Sequence, residues 1–598
     1  MRRMMGMQHR VNMASPKLRI QPRSTRVQIT CIFVVALSYF VFRPLLVSLS
    51  QEKHQHEVGP TIIANPMPSK NVDAPRDMAE LLEKLAAATR NASNGRNMSE
   101  LFTPAKQALW HKEHPCASRY EIYSLYSSRK IARDSIETNP KWNSVLREYA
   151  NLHRTCVQQM GDVTNFFLRR KHINGCKFVV AGVSAGSGIG NKALSIVSAL
   201  LYAVLTQRVL LVPQVTAVPG VFCEPFEGSS WMVDPEQVWA ESKKRQDLWD
   251  SLESFYRKVD ARDKAHLNIK PIYAVSTTKH WDAQPEPRFF CDTEQAHYTQ
   301  VEWINFRNNL YFVPKLFAVP SFRPVLEDIF PNRKVFTHLL RTVMLPCNPV
   351  WGRVKQVHYA HFQHSDRRIG IQERYFHGKD DFDLLHAVTE DNVVSCLVLQ
   401  GLLPIPQNRA TQGKLNDLPQ SHPISNPVDP LAPLRVTTIF IASLYQSLAN
   451  RLTKDYIRTH LDSGDAVGLV QLTHEDQQYF GVEVDRQALA EILCLSLTDH
   501  LVLTPQSTFG TLAQGYGGLV PWFIDLRPNT PTPCVRAQST ETCYQIPATK
   551  LYTCPHDVNV NGQFMTDVVP YLSDCHLVEK PFVKVNGADL GMQLLTTM

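Results

Sequence analysis

The chain has 598 residues, 44% of them hydrophobic and 20% charged, and a formal net charge of +8. One hydrophobic core does not organise that length, so two globular units with accessory segments are expected. Seven of the eight net positive charges come from residues 1–26, which hold Arg2, Arg3, Arg10, Lys17, Arg19, Arg23 and Arg26 and no Asp or Glu; the remainder is nearly neutral, and a nucleic-acid partner loses its electrostatic support.

The basic tail runs into the single long apolar stretch, Val27 to Phe42, continued past Arg43 and Pro44 by Leu45, Leu46 and Val47. A membrane helix needs about 20 apolar residues, and Arg43 can snorkel to extend the usable length. The run ends in FRPLLV rather than in a small-residue cleavage site, which favours a retained anchor over residues 27–49 against a cleaved signal peptide. With the positive flank cytosolic, everything after about residue 50 is expected in the lumen, as in a single-pass type II membrane protein. Thirteen cysteines without a CxxC pair suit that oxidising compartment. Cys31 falls in the span; the pairing of the other twelve cannot be read from spacing. The sequons Asn91-Ala-Ser93 and Asn97-Met-Ser99 fit lumenal glycosylation at Asn91 and Asn97.

Residues 50–105, polar apart from one helical pattern (MAELLEKLAAATRN), read as a stem. Folded sequence is expected from about Cys116, beginning with helices such as WNSVLREYANLHRTC. Lys177–Val183 then reads as a strand, Lys192–Thr206 as a buried helix and Arg208–Val212 as a second strand, with a glycine-rich turn after the first. This is a βαβ unit whose loop lies at the strand's carboxyl end, where open α/β sheets bind ligands. Apolar runs at Arg368–Ile371, Thr437–Ala442, Ala466–Gln471, Leu501–Thr504 and Pro521–Ile524 alternate with helical patterns and predict a second, mostly parallel sheet. Domain boundaries follow at 106–330 and 331–598, with a surface insertion at Pro404–Pro433, which holds seven prolines.

The loop GVSAGSGIGNK, Gly182–Lys192, fits three templates. It satisfies a G-x-S-x-G nucleophile elbow on Ser184, although an elbow launches its helix directly after the serine and four loop residues intervene here. A dinucleotide fingerprint fails at Asn191 and again at Pro213 and Gln214, where an acidic residue belongs. A phosphate or sugar cradle remains, in which glycines admit backbone amides to an anion and the next helix offers its positive end. A structural turn is the plain alternative. A second glycine-rich segment, STFGTLAQGYGGLVPW from Ser507 to Trp522, also opens a helix; Ser507 and Thr508 can cap it or donate to phosphate oxygens.

Arg374 closes RRIGIQER at the end of a strand, where a guanidinium can grip a diphosphate bidentately. Asp381-Phe-Asp383 matches D-x-D nominally, but without further oxygen ligands it reads as surface charge. His111, Glu113 and His114 have no zinc-helix spacing.

In order, CASRY at Cys116, NLHRTC to Cys156, GIGNKALSIVSALLYAVLTQRVLLV at Gly188–Val212, VFCEPFEGSSW at Val221–Trp231, FFCDTEQ at Phe289–Gln295, YFVPKLF at Tyr311–Phe317, VFTHLLRTVMLPCNPVWG at Val335–Gly352, RRIGIQER, LTHEDQQ at Leu472–Gln478 and STFGTLAQGYGGLVPW resemble the plant cell-wall α-fucosyltransferases, typified by xyloglucan fucosyltransferase. The likeness spans about residues 110–580.

The resemblance implies an α/β, GT-B-like fold of two Rossmann-type domains facing a cleft. It also implies an inverting, metal-free transfer of fucose from GDP-fucose to a galactose or arabinose hydroxyl of a wall polysaccharide or arabinogalactan, in the Golgi. No cofactor beyond the donor substrate is expected. The expected partners are GDP-fucose, a glycan acceptor and the Golgi membrane, with a homodimer also considered. Arg374 then corresponds to the family's GDP-binding arginine, the Ser507, Thr508, Phe509 and Gly510 loop to its nucleotide-contacting loop, and Gly188, Gly190 and Asn191 to its glycine-rich loop near the donor. Lys192 stands where the family has arginine, Glu373 where it has a hydrophobic residue, and Asn309 where it has an Asp implicated in acceptor handling. Asn orients a hydroxyl but cannot take its proton. Asp292, Glu294 and His474 are candidate bases by their place in family blocks. Two rivals stand beside transfer: a relative that binds glycan or nucleotide without catalysis, and a serine hydrolase built on Ser184.

Overall fold

Two βαβ-rich segments, each with its own parallel sheet, carry the architecture predicted from the alternation of apolar runs. The computed structural model describes residues 78–90, 116–127, 139–161, most of 173–234, 251–261, 272–277, 286–374, 382–406, 435–458, 465–472, 481–575 apart from a few loop residues, and 591–597. The anchor at 27–49, the sequons at Asn91 and Asn97, His111 to His114, Ser184, Asp381, the side chain of Asp383, His474 and most of the Pro-rich insertion lie outside the described residues. No helix among the described residues is long and apolar enough to cross a membrane.

The helical pattern assigned to the stem forms helix α1, Met78–Arg90. Its Leu81, Leu85 and Ala88, at helical spacing, are buried in the main core, so folded sequence starts well before Cys116. Helix α2, Pro140–Met160, is set by its ends: Asn139 accepts from the Trp142 N–H, Pro140 takes the first turn, and Gly161 stops it at φ 61°. Trp142, Val145, Tyr149, Cys156 and Met160 make its buried stripe.

The first sheet contains β1 (Phe178–Gly182), β2 (Val209–Pro213), β3 (Met232–Val233), β4 (Ile272–Val275) and β5 (Trp303–Arg307) in the order β3-β2-β1-β5-β4, all parallel. β1 and β2 fall where predicted. β3 and β4 are too short to stand out in the sequence, and β5, as long as β1, carries polar Asn305 and Arg307 instead of an unbroken apolar run. Helix α3, Ile189–Leu205, follows β1 and is buried along nearly its whole circumference, as its unbroken apolar run predicts. Helices α4 (Val335–Val343) and α5 (Asn348–Val357) link the two halves.

The second sheet has β6 (Arg367–Gln372), β7 (Val436–Ala442), β8 (Ala466–Gln471), β9 (His500–Leu503), β10 (Trp522–Ile524) and β11 (Cys534–Arg536), ordered β11-β10-β9-β6-β7-β8. It is parallel except for the antiparallel edge strand β11. Helix α6 (Val482–Ser496) leads into β9, and helix α7 (Thr508–Gly517) leaves it. One core runs from the first sheet through α3 and α4 to α6 and α7, so the seam between the sheets is closely packed.

The Cys-rich end, which holds Cys534, Cys543, Cys554 and Cys575, does not stay wholly with the 331–598 domain expected to hold it. Among the described residues five disulfides form, Cys116–Cys223, Cys156–Cys176, Cys291–Cys554, Cys396–Cys534 and Cys543–Cys575, leaving Cys347 and Cys494 as buried thiols. Cys291–Cys554 returns the chain end to the first half, a closure that constrains the unfolded chain over 263 residues. The Tyr544 hydroxyl donates to the Thr277 carbonyl and that of Tyr552 to the Ala318 carbonyl. Residues after about 540 thus complete the first half, and strands β12 (Leu572–Asp574) and β13 (Met592–Leu594) pair antiparallel within this returning segment.

Glu541 anchors the return. Fully buried, its Oε1 accepts from the Val335 and Phe336 N–H groups at 2.8 and 2.9 Å, at the start of α4, and Oε2 lies 3.1 Å from the Tyr311 hydroxyl. Burial pushes its carboxyl from 4.5 up to about 8, outweighing these hydrogen bonds. Because the folded value lies above the unfolded one, this stabilisation is complete below pH 4.5 and is lost as pH rises through about 8. Glu541→Gln keeps the acceptor and removes the titration. In thermal denaturation it is therefore expected to gain on wild type steadily across that window. Glu541→Ala strands buried N–H groups at about 1–3 kcal/mol each.

Candidate active site

Both sheets change direction beside their first strand: β2 and β5 flank β1, and β7 and β9 flank β6. In open α/β sheets, such switch points are where ligands bind, outside the strands' carboxyl ends. The glycine-rich loop follows β1, Asn308 and Asn309 follow β5, Arg374 follows β6, and the Ser507–Gly510 segment follows β9. Four separate sequence motifs thus occupy two equivalent topological positions.

The two helix-opening motifs meet directly. A Cβ on Gly190, in the first turn of α3, would lie 2.5 Å from Thr508 Oγ1 and 3.0 Å from the Thr508 carbonyl carbon. Gly190 is therefore required by helix-to-helix packing, not only by a ligand. Gly188, the N-cap of α3, has nothing within 4 Å of its Cβ position, which leaves room for close approach to the amides of that turn. Asn191 is half-buried in the same turn. Ser507 is the N-cap of α7 but makes no side-chain capping bond, contrary to the simple capping expectation. Gln506 just before it holds φ 62°, a left-handed conformation uncommon outside glycine and often found at functional sites. Gly510 is close-packed: a Cβ would come within 2.8 Å of Leu503 and 2.9 Å of Gln372 Oε1. Phe509 packs against the core from the surface.

Arg374 is half-buried and fixed through its backbone. Its N–H donates to Thr504 Oγ1 at 3.0 Å, and the Thr504 hydroxyl donates onward to the Gln372 carbonyl at 3.2 Å. The strand end that carries the guanidinium is thus tied to β9. Thr504 is a site residue that motif reading passed over. Its position at the end of a switch-point strand was the available signal.

Two of the three departures from the family pattern, Lys192 and Glu373, meet specific neighbours. Lys192 is buried, its ammonium 3.7 Å from Asp485 of α6. Burial raises the Asp485 carboxyl while Lys192 pulls it down. Glu373 is buried and accepts from the Ser443 hydroxyl at 2.9 Å. Asn309 is half-buried beyond the end of β5. Its neighbour Asn308 accepts from the Thr277 N–H at 2.8 Å and donates its own N–H to the Gly182 carbonyl at 3.3 Å, which joins the ends of β1, β4 and β5.

The candidate bases are engaged structurally. Asp292 Oδ1 accepts from the Ser321 N–H at 3.0 Å, and Glu294 is fully buried against Arg288 at 2.7 Å. Among the described residues, no group of three or more His, Cys, Asp or Glu side chains is arranged to hold a metal ion.

Lys315 is a separate oddity. Its buried ammonium has no hydrogen-bond partner and faces the rings of Phe290 at 5.0 Å and Tyr544 at 6.0 Å. Burial lowers it from 10.5 to about 7. With the folded value below the unfolded one, the cost of the charge is complete below about pH 7 and fades as pH rises toward 10.5. Lys315→Met is expected to raise the melting temperature at pH 6 and to lose that advantage in alkali, checked by scanning calorimetry across pH.

Two parallel sheets whose switch points open on one packed seam define a GT-B-like α/β glycosyltransferase. The xyloglucan fucosyltransferase family profile matches residues 90–555, and the chain belongs to that family. It is 31% identical over 492 residues to a probable fucosyltransferase 8 of Arabidopsis thaliana, covering 77% of this chain and 88% of the relative. To a galactoside 2-alpha-L-fucosyltransferase of Pisum sativum it is 32% identical over 487 residues, covering 77% and 78%. A solved structure of a point mutant of Arabidopsis thaliana FUT1, in complex with GDP, matches with a TM-score of 0.60 and 28% identity, over 81% of this chain and 97% of that one.

Proposed function

We propose that the chain transfers L-fucose from GDP-fucose to a galactose or arabinose hydroxyl of a cell-wall polysaccharide or arabinogalactan, with inversion, from the lumenal side of the Golgi membrane. The observation that carries the reading is the direct contact of the α3 and α7 N-termini at Gly190 and Thr508, with Arg374 at the β6–β9 switch point. Helix N-termini present unpaired N–H groups and positive potential, and a guanidinium adds a bidentate clamp. Such a set of donors suits a nucleoside diphosphate. The GDP complex of the related solved structure and the galactoside named for the pea relative support donor and acceptor class.

In this mechanism the acceptor oxygen attacks the fucose anomeric carbon from the face opposite GDP. The bond from that carbon to the β-phosphate oxygen breaks, its electron pair leaves with GDP, and the acceptor hydroxyl gives up its proton. Arg374 and the amides of the Ser507–Gly510 turn stabilise the charge growing on the leaving diphosphate. Asn309 orients the acceptor hydroxyl, and the proton passes to solvent or phosphate rather than to Asn309. Full-length protein incubated with GDP-β-L-fucose and galactose- or arabinose-terminated acceptors is expected to yield an α-fucoside, resolved by the anomeric proton coupling of the product. A β-fucoside contradicts inversion, and galactose- and arabinose-terminated acceptors both left unchanged contradict the assignment.

A further inference from the structure

The residue before Arg374 places a buried acidic side chain at the end of its strand. Glu373 follows Ile369, Gly370, Ile371 and Gln372, is about 2% exposed and lies at the carboxyl edge of the second sheet. Its N–H donates to the Ala442 carbonyl at 3.1 Å, which continues the β6–β7 ladder by one residue. Its Oε2 accepts from the Ser443 hydroxyl at 2.9 Å, and that hydroxyl accepts from the Tyr445 N–H at 3.1 Å. From the other side, the Gln471 side-chain amide at the end of β8 donates to the Ser443 and Tyr445 carbonyls at 2.9 and 3.0 Å. The turn after β7, residues 443–446, is thereby held at both flanks. Arg374, one residue on, is tied the other way, to Thr504 after β9.

We infer that Glu373 is a positioning residue for the donor site: its hydrogen bond to Ser443 fixes the turn after β7 against the strand end that carries Arg374. The inference rests on the reading of Arg374 as a diphosphate clamp. An apolar residue fills the same volume but leaves the Ser443 hydroxyl without its acceptor, so the turn and the strand end lose their common anchor. A buried carboxylate one residue from that clamp is electrostatically unhelpful to an anionic ligand. Its value lies in what it holds, which predicts that geometry and not charge is the active ingredient.

The test is GDP affinity by calorimetry, with GDP-fucose kinetics and melting temperature, on the full chain and on Glu373→Gln, Glu373→Leu, Ser443→Ala, the Glu373→Leu/Ser443→Ala double variant and Arg374→Ala. Glu373→Gln retains an acceptor for Ser443 and is expected to stay within about threefold of wild type. Glu373→Leu and Ser443→Ala are each expected to weaken GDP about 10-fold, with the double variant no worse than either single one. Tighter GDP binding by both Glu373 variants shows the carboxylate acting only as a repulsive charge and overturns the inference. So does a lower melting temperature with unchanged GDP affinity. Loss of GDP binding in Arg374→Ala, with Glu373→Leu and Ser443→Ala at wild-type affinity, refutes Glu373's role and leaves the clamp intact. Wild-type affinity in Arg374→Ala sinks both.

Discussion

Arg374→Ala is expected to lower fucose transfer by roughly 100- to 1,000-fold, the scale of losing a principal donor to developing negative charge. The fold should tolerate the change. Arg374 is half-buried at the carboxyl edge of the sheet, and its backbone N–H to Thr504, which alanine keeps, ties the strand end to β9. Arg374→Lys retains a point charge without the planar fork, so it should recover part of the GDP affinity and little of the rate. Steady-state kinetics beside thermal melts separates the two effects: the rate falls while the melting temperature holds. A parallel fall in both would move Arg374 from chemistry to architecture.

Gly190→Ala carries the second large effect, for a different reason. The added Cβ meets Thr508 Oγ1 at 2.5 Å, Cβ at 2.8 Å and the carbonyl carbon at 3.0 Å. The first two contacts can be relieved by a smaller residue at 508, but the third is backbone. Overpacking of this kind costs about 1–3 kcal/mol, and it falls where two helix N-termini must converge on one ligand. Transfer is expected to drop at least about 10-fold, in keeping with the sensitivity of oriented reactions to small displacements. Gly190→Ala/Thr508→Gly should restore part of the stability and part of the rate. If Gly190→Ala behaves as wild type, the seam between the helices is looser than the distances require, and a shared donor site loses its basis.

Much of this arrangement was legible in local sequence. The long apolar run of α3, the five parallel strands of the second sheet and the placing of Arg374 at a strand end all follow from periodicity and length, whereas the short antiparallel edge strand β11 does not. What could not be read locally were the pairings between distant residues. Lys192 meets Asp485, Glu373 meets Ser443, and Arg374 meets Thr504, each joining segments with no shared motif. These long-range partners settle what the departures from the family pattern mean structurally: two of the three are held by specific neighbours. The stem and the Cys-rich end were misplaced for a related reason. The amphipathic face of α1 and the hydroxyls of Tyr544 and Tyr552 find their partners only in the folded first half.

The most direct measurement is GDP release from GDP-fucose by the full chain, with and without galactose- and arabinose-terminated acceptors, beside Arg374→Ala. Acceptor-dependent release by wild type, accompanied by a fucosylated product and lost in Arg374→Ala, is the expected result. GDP-fucose left intact with every acceptor, or equal release by the variant, would contradict a fucosyl-transfer site built around Arg374 and the converging helix N-termini.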